Sequence, residues 1–408
     1  MDPITFRDLL DQETKHHPSA FFGRLREQAP LVRFASPLAP QGGWIVTNYD
    51  DAIAMLKDPR LTKDSRKVSP PEETPASTDE RADIMSRFFT LRRDMLTVDP
   101  PDHTRLRGLV SKAFTPRMIA QLRPRIQQIA DELLDAVQEQ GKMDLIADFA
   151  FPLPITVISE MLGIPVEDRK QFRLWSQTIV TGTAGPQPEK ALASGEAFVQ
   201  YIKTLVAEKH THPGGDLISG LVQAEERGDT LNETELISTV LLLIVAGHET
   251  TVNLIGNGTL ALLLHPDQMD LLRADLSLLP MAIEELLRCT VPLLLSSPRW
   301  ANEDISIQGQ VIRKGEMVFV SLIGANTDPH QFLDPERVDI TRQENQHVAF
   351  GKGIHFCLGA PLARLEGQIA LGTLLQRMPH VRLASKPEQL TWTQSPLLRG
   401  LTSLPVTF

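Results

Sequence analysis

The longest helical segment of this sequence constrains its fold more than any other feature. The pattern LNETE predicts a helix that starts after Asn232 as the N-cap, and HPD predicts its end at His265. At ~1.5 Å per residue, this helix is about 50 Å long. It contains the run STVLLLIVAG, which is apolar on every side, so we expect the helix to be buried through the middle of the protein.

The segments around this helix predict a mainly helical body with a smaller β-rich portion. Helical spacing of apolar residues is found in Asp102–Phe114, Arg117–Gln140, Pro152–Leu162, Glu167–Val180 and Glu189–His210. Strand-like pieces are Leu31–Phe34, Gly43–Asn48, short runs after Pro298 with the turn signals QGQ and KGE, and a strand pair in the tail Ser395–Phe408. Because no repeat or low-complexity tract divides the sequence, we expect residues 1–408 to form a single domain.

Composition and charge exclude several classes of protein. With a formal net charge of −10, the chain lacks the overall basic character that nucleic-acid binding favours. The longest strictly apolar run, Val240–Gly247, is shorter than the roughly 20 residues of a membrane-spanning helix, and the first residues do not resemble a secretory signal. Two cysteines do not make a disulfide framework. We therefore expect a cytoplasmic protein with no membrane anchor.

One of the two cysteines, Cys357, lies on a glycine-rich turn directly before a predicted helix. A helix N-terminus lowers the pKa of a nearby thiol and so favours the thiolate, which is the form that binds metals. From these residues alone two interpretations stay open: Cys357 is a small buried apolar side chain, or it is a metal ligand. No phosphate-loop motif is present, and a zinc site needs more cysteines or histidines than His347 and His355.

The stretch FGKGIHFCLGAPLAR (Phe350–Arg364) resembles the haem-binding signature of the cytochrome P450 family. The signature F-x-x-G-x-x-x-C-x-G is matched at Phe350, Gly353, Cys357 and Gly359, and its bacterial extension at His355, Leu362, Ala363 and Arg364. Further stretches resemble other P450 motifs in the family's order: AGHETT, EELLR, DPERVDI and DPPDHTRLRGLVSKAF. The resemblance covers nearly the whole chain and implies the cytochrome P450 fold, with a long buried central helix.

This resemblance implies a bound heme b (iron protoporphyrin IX) with Cys357 as the thiolate ligand of its iron. Thiolate ligation donates electron density and favours cleavage of the O–O bond. The residues that match cofactor-binding positions are His103, Arg107, Ala246, Arg299, Phe350, Gly351, His355, Cys357 and Gly359. The histidines and arginines of this set would donate hydrogen bonds to the haem propionates, since buried carboxylates need such partners.

Two polar residues interrupt the central helix, and the resemblance assigns them the catalytic role. Glu249 and Thr250 lie within AGHETT, where a buried carboxylate and hydroxyl are costly unless they are satisfied. By resemblance, Thr250 holds the bound oxygen and Glu249 connects it to solvent protons. A structural kink with satisfied polar groups is the alternative that the residues alone leave open. We interpret the neighbouring His248 as structural.

A second set of residues is expected to stabilise the fold. Glu285 and Arg288 are three positions apart on a predicted helix, and the resemblance adds Arg337 as the third member of a buried triad. The substrate pocket is predicted to contain Phe88, Phe89, Val245, Leu293, Leu294 and Leu398, which suggests an apolar ligand. A fatty acid, terpenoid, steroid or polyketide fits these residues equally well.

The function implied is that of a haem-thiolate monooxygenase that inserts one atom of O2 into an apolar organic substrate. The alternatives are a haem-thiolate sensor or binding protein and a peroxide-driven peroxygenase, and the Glu249–Thr250 pair argues against both. No flavin or NAD(P)H motif is present, so a separate reductase partner is implied. The resemblance to soluble bacterial members of the family implies that this partner is a ferredoxin or flavodoxin with an NAD(P)H reductase. An acidic ferredoxin would dock at a basic patch formed by Lys112, Arg117, Lys352 and Arg364, and scattered solvated charge is the alternative that these residues leave open. We expect the protein to be a monomer.

Overall fold

A computed structural model of the chain describes residues 3–36, 42–68, 93–182, 188–226 and 231–408. The helices of its first half are α1 (Phe6–Leu10), α2 (Gln12–His16), α3 (Pro18–Gln28), α4 (Tyr49–Lys57), α5 (Asp102–Ala113), α6 (Pro116–Gln138), α7 (Pro152–Leu162), α8 (Arg169–Gly182) and α9 (Pro188–Thr211). The later helices are α10 (Leu217–Glu226), α11 (Glu233–Leu264), α12 (Pro266–Ala274), α13 (Leu279–Thr290), α14 (Leu322–Asn326) and α15 (Ala360–Arg377). The helices predicted from apolar spacing are therefore confirmed, with ends that differ by up to two residues.

The central helix α11 confirms the prediction from its capping pattern and its apolar run. Asn232 accepts a hydrogen bond from the backbone N–H of Glu235, whose carboxylate accepts one from the N–H of Asn232. The helix packs against α7, α13 and α15, and most of its length is buried, except around residues 245–250. It is long and apolar enough to cross a membrane, but 72% of its most apolar window lies inside the protein. That burial is typical of the core helix of a soluble protein.

The largest sheet lies beside this helical body. The strands are β1 (Ile4–Thr5), β2 (Leu31–Ala35), β3 (Gly43–Val46), β4 (Leu61–Thr62), β5 (Lys142–Asp144), β6 (Arg299–Ala301), β7 (Ile305–Ile307), β8 (Gln310–Ile312), β9 (Met317–Val320), β10 (Arg382–Leu383) and β11 (Pro405–Thr407). Six of them form a mixed sheet in the order β1-β2-β3-β9-β6-β4. One apolar cluster surrounds α11 and a second lies under this sheet.

Two predictions for the β-rich portion, a turn at QGQ and a strand pair in the tail, had different outcomes. The QGQ signal is confirmed, since Gln308 and Gly309 both have positive φ and join β7 to β8 in a hairpin. The predicted strand pair in the tail is wrong. Only Pro405–Thr407 forms a strand there, and it pairs with Lys142–Asp144 and with Arg382–Leu383. Alternating residues predict a strand, but its partner depends on contacts far away in the sequence.

Candidate active site

The cysteine turn is held in a fixed shape by its glycines and by one backbone hydrogen bond. Gly351 and Gly353 have φ values of +70° and +75°, which side chains rarely adopt. A Cβ on Gly353 would also lie 2.9 Å from the carbonyl oxygen of Leu56. The N–H of Cys357 donates to the carbonyl of Phe350 at 2.9 Å, and α15 begins three residues later. The sequence therefore fixes where the thiol lies relative to the helix.

The electrostatics of Cys357 differ from the sequence prediction. Although Cys357 is exposed, enough protein surrounds its sulfur that burial raises the pKa of the thiol. The N–H groups of Gly359 and Ala360 and the charge of Arg107 act in the opposite direction. The helix N-terminus therefore lowers this pKa as predicted, but the expected net decrease is wrong for the protein alone, because desolvation is the larger effect. A cation bound at the sulfur would reverse the balance, since metals bind the thiolate.

A cluster of cationic and imidazole groups lies close to the cysteine turn. The ring centroids of His103 and His355 are 4.4 Å apart. Burial, followed by the charges of Lys63, His103 and Arg299, lowers the pKa of His355 to about 2. Arg107 donates to the carbonyl of Phe356 at 2.7 Å and so reaches the cysteine turn itself. The structure thus brings together the residues predicted to bind propionates, although they come from three separate segments.

The donors of this cluster have few acceptors within the described part of the protein, so the cluster is suited to bind an anionic group. Arg299 is buried, and its side chain donates only to Ser296 Oγ and Ser297 O, at 3.4 and 3.3 Å, among the described residues. Burial lowers its pKa to about 10, and the Nε2 atom of buried His103 has no hydrogen-bond partner in the described part of the chain. Buried donors without acceptors are costly. Two carboxylates, such as the propionates of a haem, would satisfy them.

Lys63 is a member of this cluster that sequence reasoning missed. Its ammonium is buried and donates to Ser297 and to the carbonyl of Pro298, directly before Arg299. Burial and the charge of Arg299 lower its pKa well below the ordinary value, while Asp99 opposes this change. A lone lysine in the string LTKD carries no signal of burial, so only the tertiary structure identifies it.

The central helix opens locally at the predicted oxygen-activation motif. Ala246 is exposed, and Val245, Glu249 and Thr250 are partly exposed, whereas the turns on either side are buried. The hydroxyl of Thr250 donates back to the carbonyl of Ala246 at 2.9 Å. Burial raises the pKa of Glu249 to about 7. The carboxyl group can therefore both release and accept a proton near neutral pH.

His248 has the structural role expected for it. Its side chain is fully buried, and its Nδ1 lies 2.7 Å from the carbonyl oxygen of Ile244. Burial lowers the pKa of the imidazole to about 4, so the ring is neutral at pH 7. The Nε2 atom is 3.7 Å from a carboxylate oxygen of Glu249.

A second buried carboxyl group, Glu366, also lies beside the motif and was not predicted. It belongs to α15 and hydrogen-bonds the side chain of Thr251 on the central helix. Its Oε2 atom is buried without a partner in the described part of the structure. Burial raises the pKa of Glu366 to about 8, so the group is mostly protonated at pH 7. The only sequence signal is a single acid among the apolar residues of RLEGQIA.

The predicted structural triad has a different third member. Arg288 makes two hydrogen bonds of 2.8 Å to Glu285, and both side chains are completely buried. The prediction that Arg337 completes the triad is wrong, because Arg342 Nε lies 3.2 Å from both carboxylate oxygens of Glu285. Arg337 contributes its backbone carbonyl, which accepts from Arg288 at 3.0 Å. The arginine five residues further along the loop reaches the carboxylate instead.

The residues predicted for the substrate pocket are partly brought together. Leu293 and Leu398 form an antiparallel bridge, and both are partly exposed, as is Val245. Leu294 is completely buried in the cluster under the large sheet. Its prediction as a pocket residue is wrong, because it presents no accessible surface to a ligand. Phe88 and Phe89 lie outside the described residues.

The predicted basic patch is weaker than its residue types suggested. Arg364 makes hydrogen bonds of 2.6 and 2.7 Å to the carboxylate of Glu284, and its guanidinium lies 4.6 Å from the ring centroid of Phe350. The hydrogen bonds of Arg364 and His347 outweigh burial and lower the pKa of Glu284 to about 2. The charge of Arg364 is therefore neutralised within the protein.

Comparison with known proteins agrees with this geometry. The family model "Cytochrome P450" matches residues 189–398. The chain is 52% identical to "Cytochrome P450 CYP107DY1" of Priestia megaterium, over 100% of both chains, and 46% identical to "Polyketide biosynthesis cytochrome P450 PksS" of Bacillus subtilis, over 97% and 96% of the two. The crystal structure of myxobacterial cytochrome P450 CYP267B1 in complex with myristic acid matches with a TM-score of 0.89 and 45% identity, over 99% of both chains.

These relatives confirm the predicted fold and the resemblance drawn from the motifs. Close relatives are named as P450 hydroxylases and oxygenases, among them 6-deoxyerythronolide B hydroxylase of Saccharopolyspora erythraea, which is 44% identical over 94% of both chains. The chain therefore belongs to the cytochrome P450 family and is a haem-binding monooxygenase that acts on an organic substrate.

Proposed function

We propose that this P450 binds heme b with Cys357 Sγ as the ligand of the iron, and that it hydroxylates or epoxidises an apolar substrate. The observation that carries the assignment is the buried set of cationic and imidazole donors beside the Cys357 turn. Arg299 and His103 lack acidic partners among the described residues, so their donors remain available to propionates. Lys63 supports this set, because it holds the Ser297–Pro298 segment that presents Arg299.

The haem, when bound, supplies the iron that activates O2, and the protein supplies the protons that this chemistry consumes. Glu249 and Glu366 are the proton carriers in this proposal, since burial brings the pKa of each close to neutrality. Thr251 links Glu366 to the central helix. The Thr250 hydroxyl donates its hydrogen to Ala246 O and has lone pairs left that can accept a hydrogen bond from a water molecule.

The pocket and the relatives together support a long apolar substrate. Val245, Leu293 and Leu398 offer apolar, partly exposed surface. One relative is named for polyketide biosynthesis, and a solved relative holds myristic acid. We therefore infer a fatty acyl or polyketide chain as the substrate class.

The remaining parts of the proposal concern the protein's setting. Electrons would come from a ferredoxin or flavodoxin with its NAD(P)H reductase. The chain would act as a cytoplasmic monomer in which residues 1–408 work as a single domain.

Oxygen-isotope labelling tests this function. The purified protein is supplied with ferredoxin, its reductase, NADPH and 18O2, with myristic acid as the first substrate and polyketide lactones as the next. We expect one 18O atom per product molecule. Product from hydrogen peroxide alone, with none from NADPH and the reductase, would identify a peroxygenase. Tight ligand binding with no product under either condition would identify a binding protein.

A further inference from the structure

The N-terminal helix α2 carries a lysine that is completely buried. Lys15 is 0% exposed, and its ammonium donates to the carbonyl of Ser395 at 2.5 Å and to the carbonyl of Leu398. Burial, with the nearby charge of Arg399 as a second cause, lowers the pKa of Lys15 to about 7. An ammonium in the interior costs stability through desolvation, even when it is hydrogen-bonded, and a methionine would fill the same space at a lower desolvation cost. The presence of a lysine therefore points to a role for its hydrogen bonds.

The segment that Lys15 holds lies at the predicted substrate pocket. Leu398 bridges Leu293 in an antiparallel pair, and the carbonyl of Leu397 accepts from the N–H of Leu294 at 2.8 Å. The turn is closed by the hydroxyl of Ser395, which accepts from the N–H of Leu398 at 3.1 Å. The Leu398 side chain is partly exposed, so its position depends on this backbone rather than on a surrounding core.

Helix α2 also contacts the C-terminal segment before the turn, through residues other than Lys15. The contact of Lys15 can therefore be tested separately from the general anchoring of this segment. The amide of Gln12 makes two hydrogen bonds to the backbone of Trp392, of 2.9 and 3.3 Å. His16 Nε2 lies 3.1 Å from the carbonyl oxygen of Leu390. These two residues hold the stretch before the turn, whereas Lys15 holds the turn itself.

Arg399 completes the arrangement from the other side. It is buried and donates to the carbonyl of Lys15 at 2.8 Å and to that of Thr290 at 3.1 Å. Its guanidinium lies 4.0 Å from the ring centroid of Trp392. The carbonyl of Arg399 accepts from Asn257 on the central helix at 2.8 Å. The turn is therefore tied to α2, to the end of α13 and to α11 at once.

We propose that Lys15 is a positioning residue for substrate specificity: its ammonium fixes the Ser395–Leu398 turn and thereby fixes Leu398 at the wall of the substrate pocket. The inference rests on the proposed function, because it takes this wall to face a P450 substrate. It assigns a part in ligand selection to a helix near the N-terminus that does not reach the ligand. The affinity for large apolar ligands that contact Leu398 should depend on Lys15, whereas the affinity for small ligands that bind only the iron should not.

Optical titration of the holoprotein with two azoles tests this role. Lys15→Met should change the dissociation constant of the bulky clotrimazole by about fivefold or more, because one misplaced apolar contact discriminates ligands by such factors. It should leave that of imidazole, which needs only the iron, within about twofold. The matched control Gln12→Ala should leave the ratio of the two constants unchanged. Equal changes for both azoles in Lys15→Met, no change for either, or the same altered ratio in Gln12→Ala would overturn the proposal.

Two further measurements keep the test decisive. If Lys15→Met does not retain haem, Lys15→Gln takes its place. A cycle with Leu398→Ala should be non-additive, since Lys15 acts through that side chain. Hydrogen exchange of the Ser395–Arg399 amides should be faster in the Lys15 variant than in Gln12→Ala, whether or not an azole binds; equal exchange would refute the contact. Failure of the proposed function would show separately, as a wild-type protein without a thiolate CO spectrum.

Discussion

Replacing Glu366 by glutamine should stabilise the protein at high pH and leave it nearly unchanged at low pH. Glutamine has the shape of a protonated glutamic acid, so it preserves the contact with Thr251 without a titratable proton. In the fold the pKa of Glu366 is about 8, against an ordinary value of 4.5. The folded state therefore binds this proton more tightly than the unfolded chain does.

The sign and size of the effect follow from that difference. A carboxyl group with a raised pKa contributes its full stability below pH 4.5 and loses it as the pH rises toward 8. At about 1.4 kcal/mol for each pKa unit, the wild type loses about 5 kcal/mol across this window. Glu366→Gln avoids the loss, so its advantage should grow from pH 5 to pH 8 and then level off.

Urea unfolding of the holoprotein at pH 5, 6, 7, 8 and 9 measures this difference. Glu249→Gln is the matched control, because burial raises the pKa of Glu249 only to about 7. Its advantage should be smaller, about 3 kcal/mol, and should level off about one pH unit earlier. A difference between Glu366→Gln and wild type that stays constant from pH 5 to pH 9 would refute the reasoning, because it would show that Glu366 has the same pKa in both states.

Two other predictions concern the proton pathway and the fold. Thr250→Ala should keep substrate binding but divert electrons from product to hydrogen peroxide, measured as product formed per NADPH consumed. Thr251→Val should slow turnover without that uncoupling, because the Thr251 hydroxyl bonds Glu366. The reverse pattern would show that the roles of the two threonines are exchanged. Arg342→Ala should lower the yield of haem-loaded protein by destabilising the buried charge of Glu285, at roughly 3 kcal/mol, while Arg337→Ala should have little effect. Equal yields from the two arginine variants would contradict the observed triad.

Local patterns in the sequence predict the main elements of this fold well. The capping box at Asn232 and the all-round apolar run after it determine one long buried helix, and neither depends on distant residues. The cysteine turn is similar, because positive φ at Gly351 and Gly353 is a local requirement. The resemblance to the P450 family then supplies an order for the remaining motifs.

What the sequence could not predict depends on contacts between distant segments. Arg337 and Arg342 are both loop arginines, and only the path of the loop decides which reaches Glu285. Lys63 and Glu366 are single ionisable residues whose burial arises from packing against other elements. The pKa of Cys357 was predicted from the helix N-terminus, whereas desolvation by the whole surroundings is the larger effect.

The absorption spectrum of the reduced protein with CO tests the central claim most directly, since it would report which protein group is the ligand of the iron. Wild type and Cys289→Ser should both show the band typical of thiolate ligation, because the partly buried Cys289, whose pKa burial raises to about 12, takes no part. Cys357→His should lose that band while it retains haem. A thiolate band that persists in Cys357→His would contradict the account, because another group would then have to be the ligand.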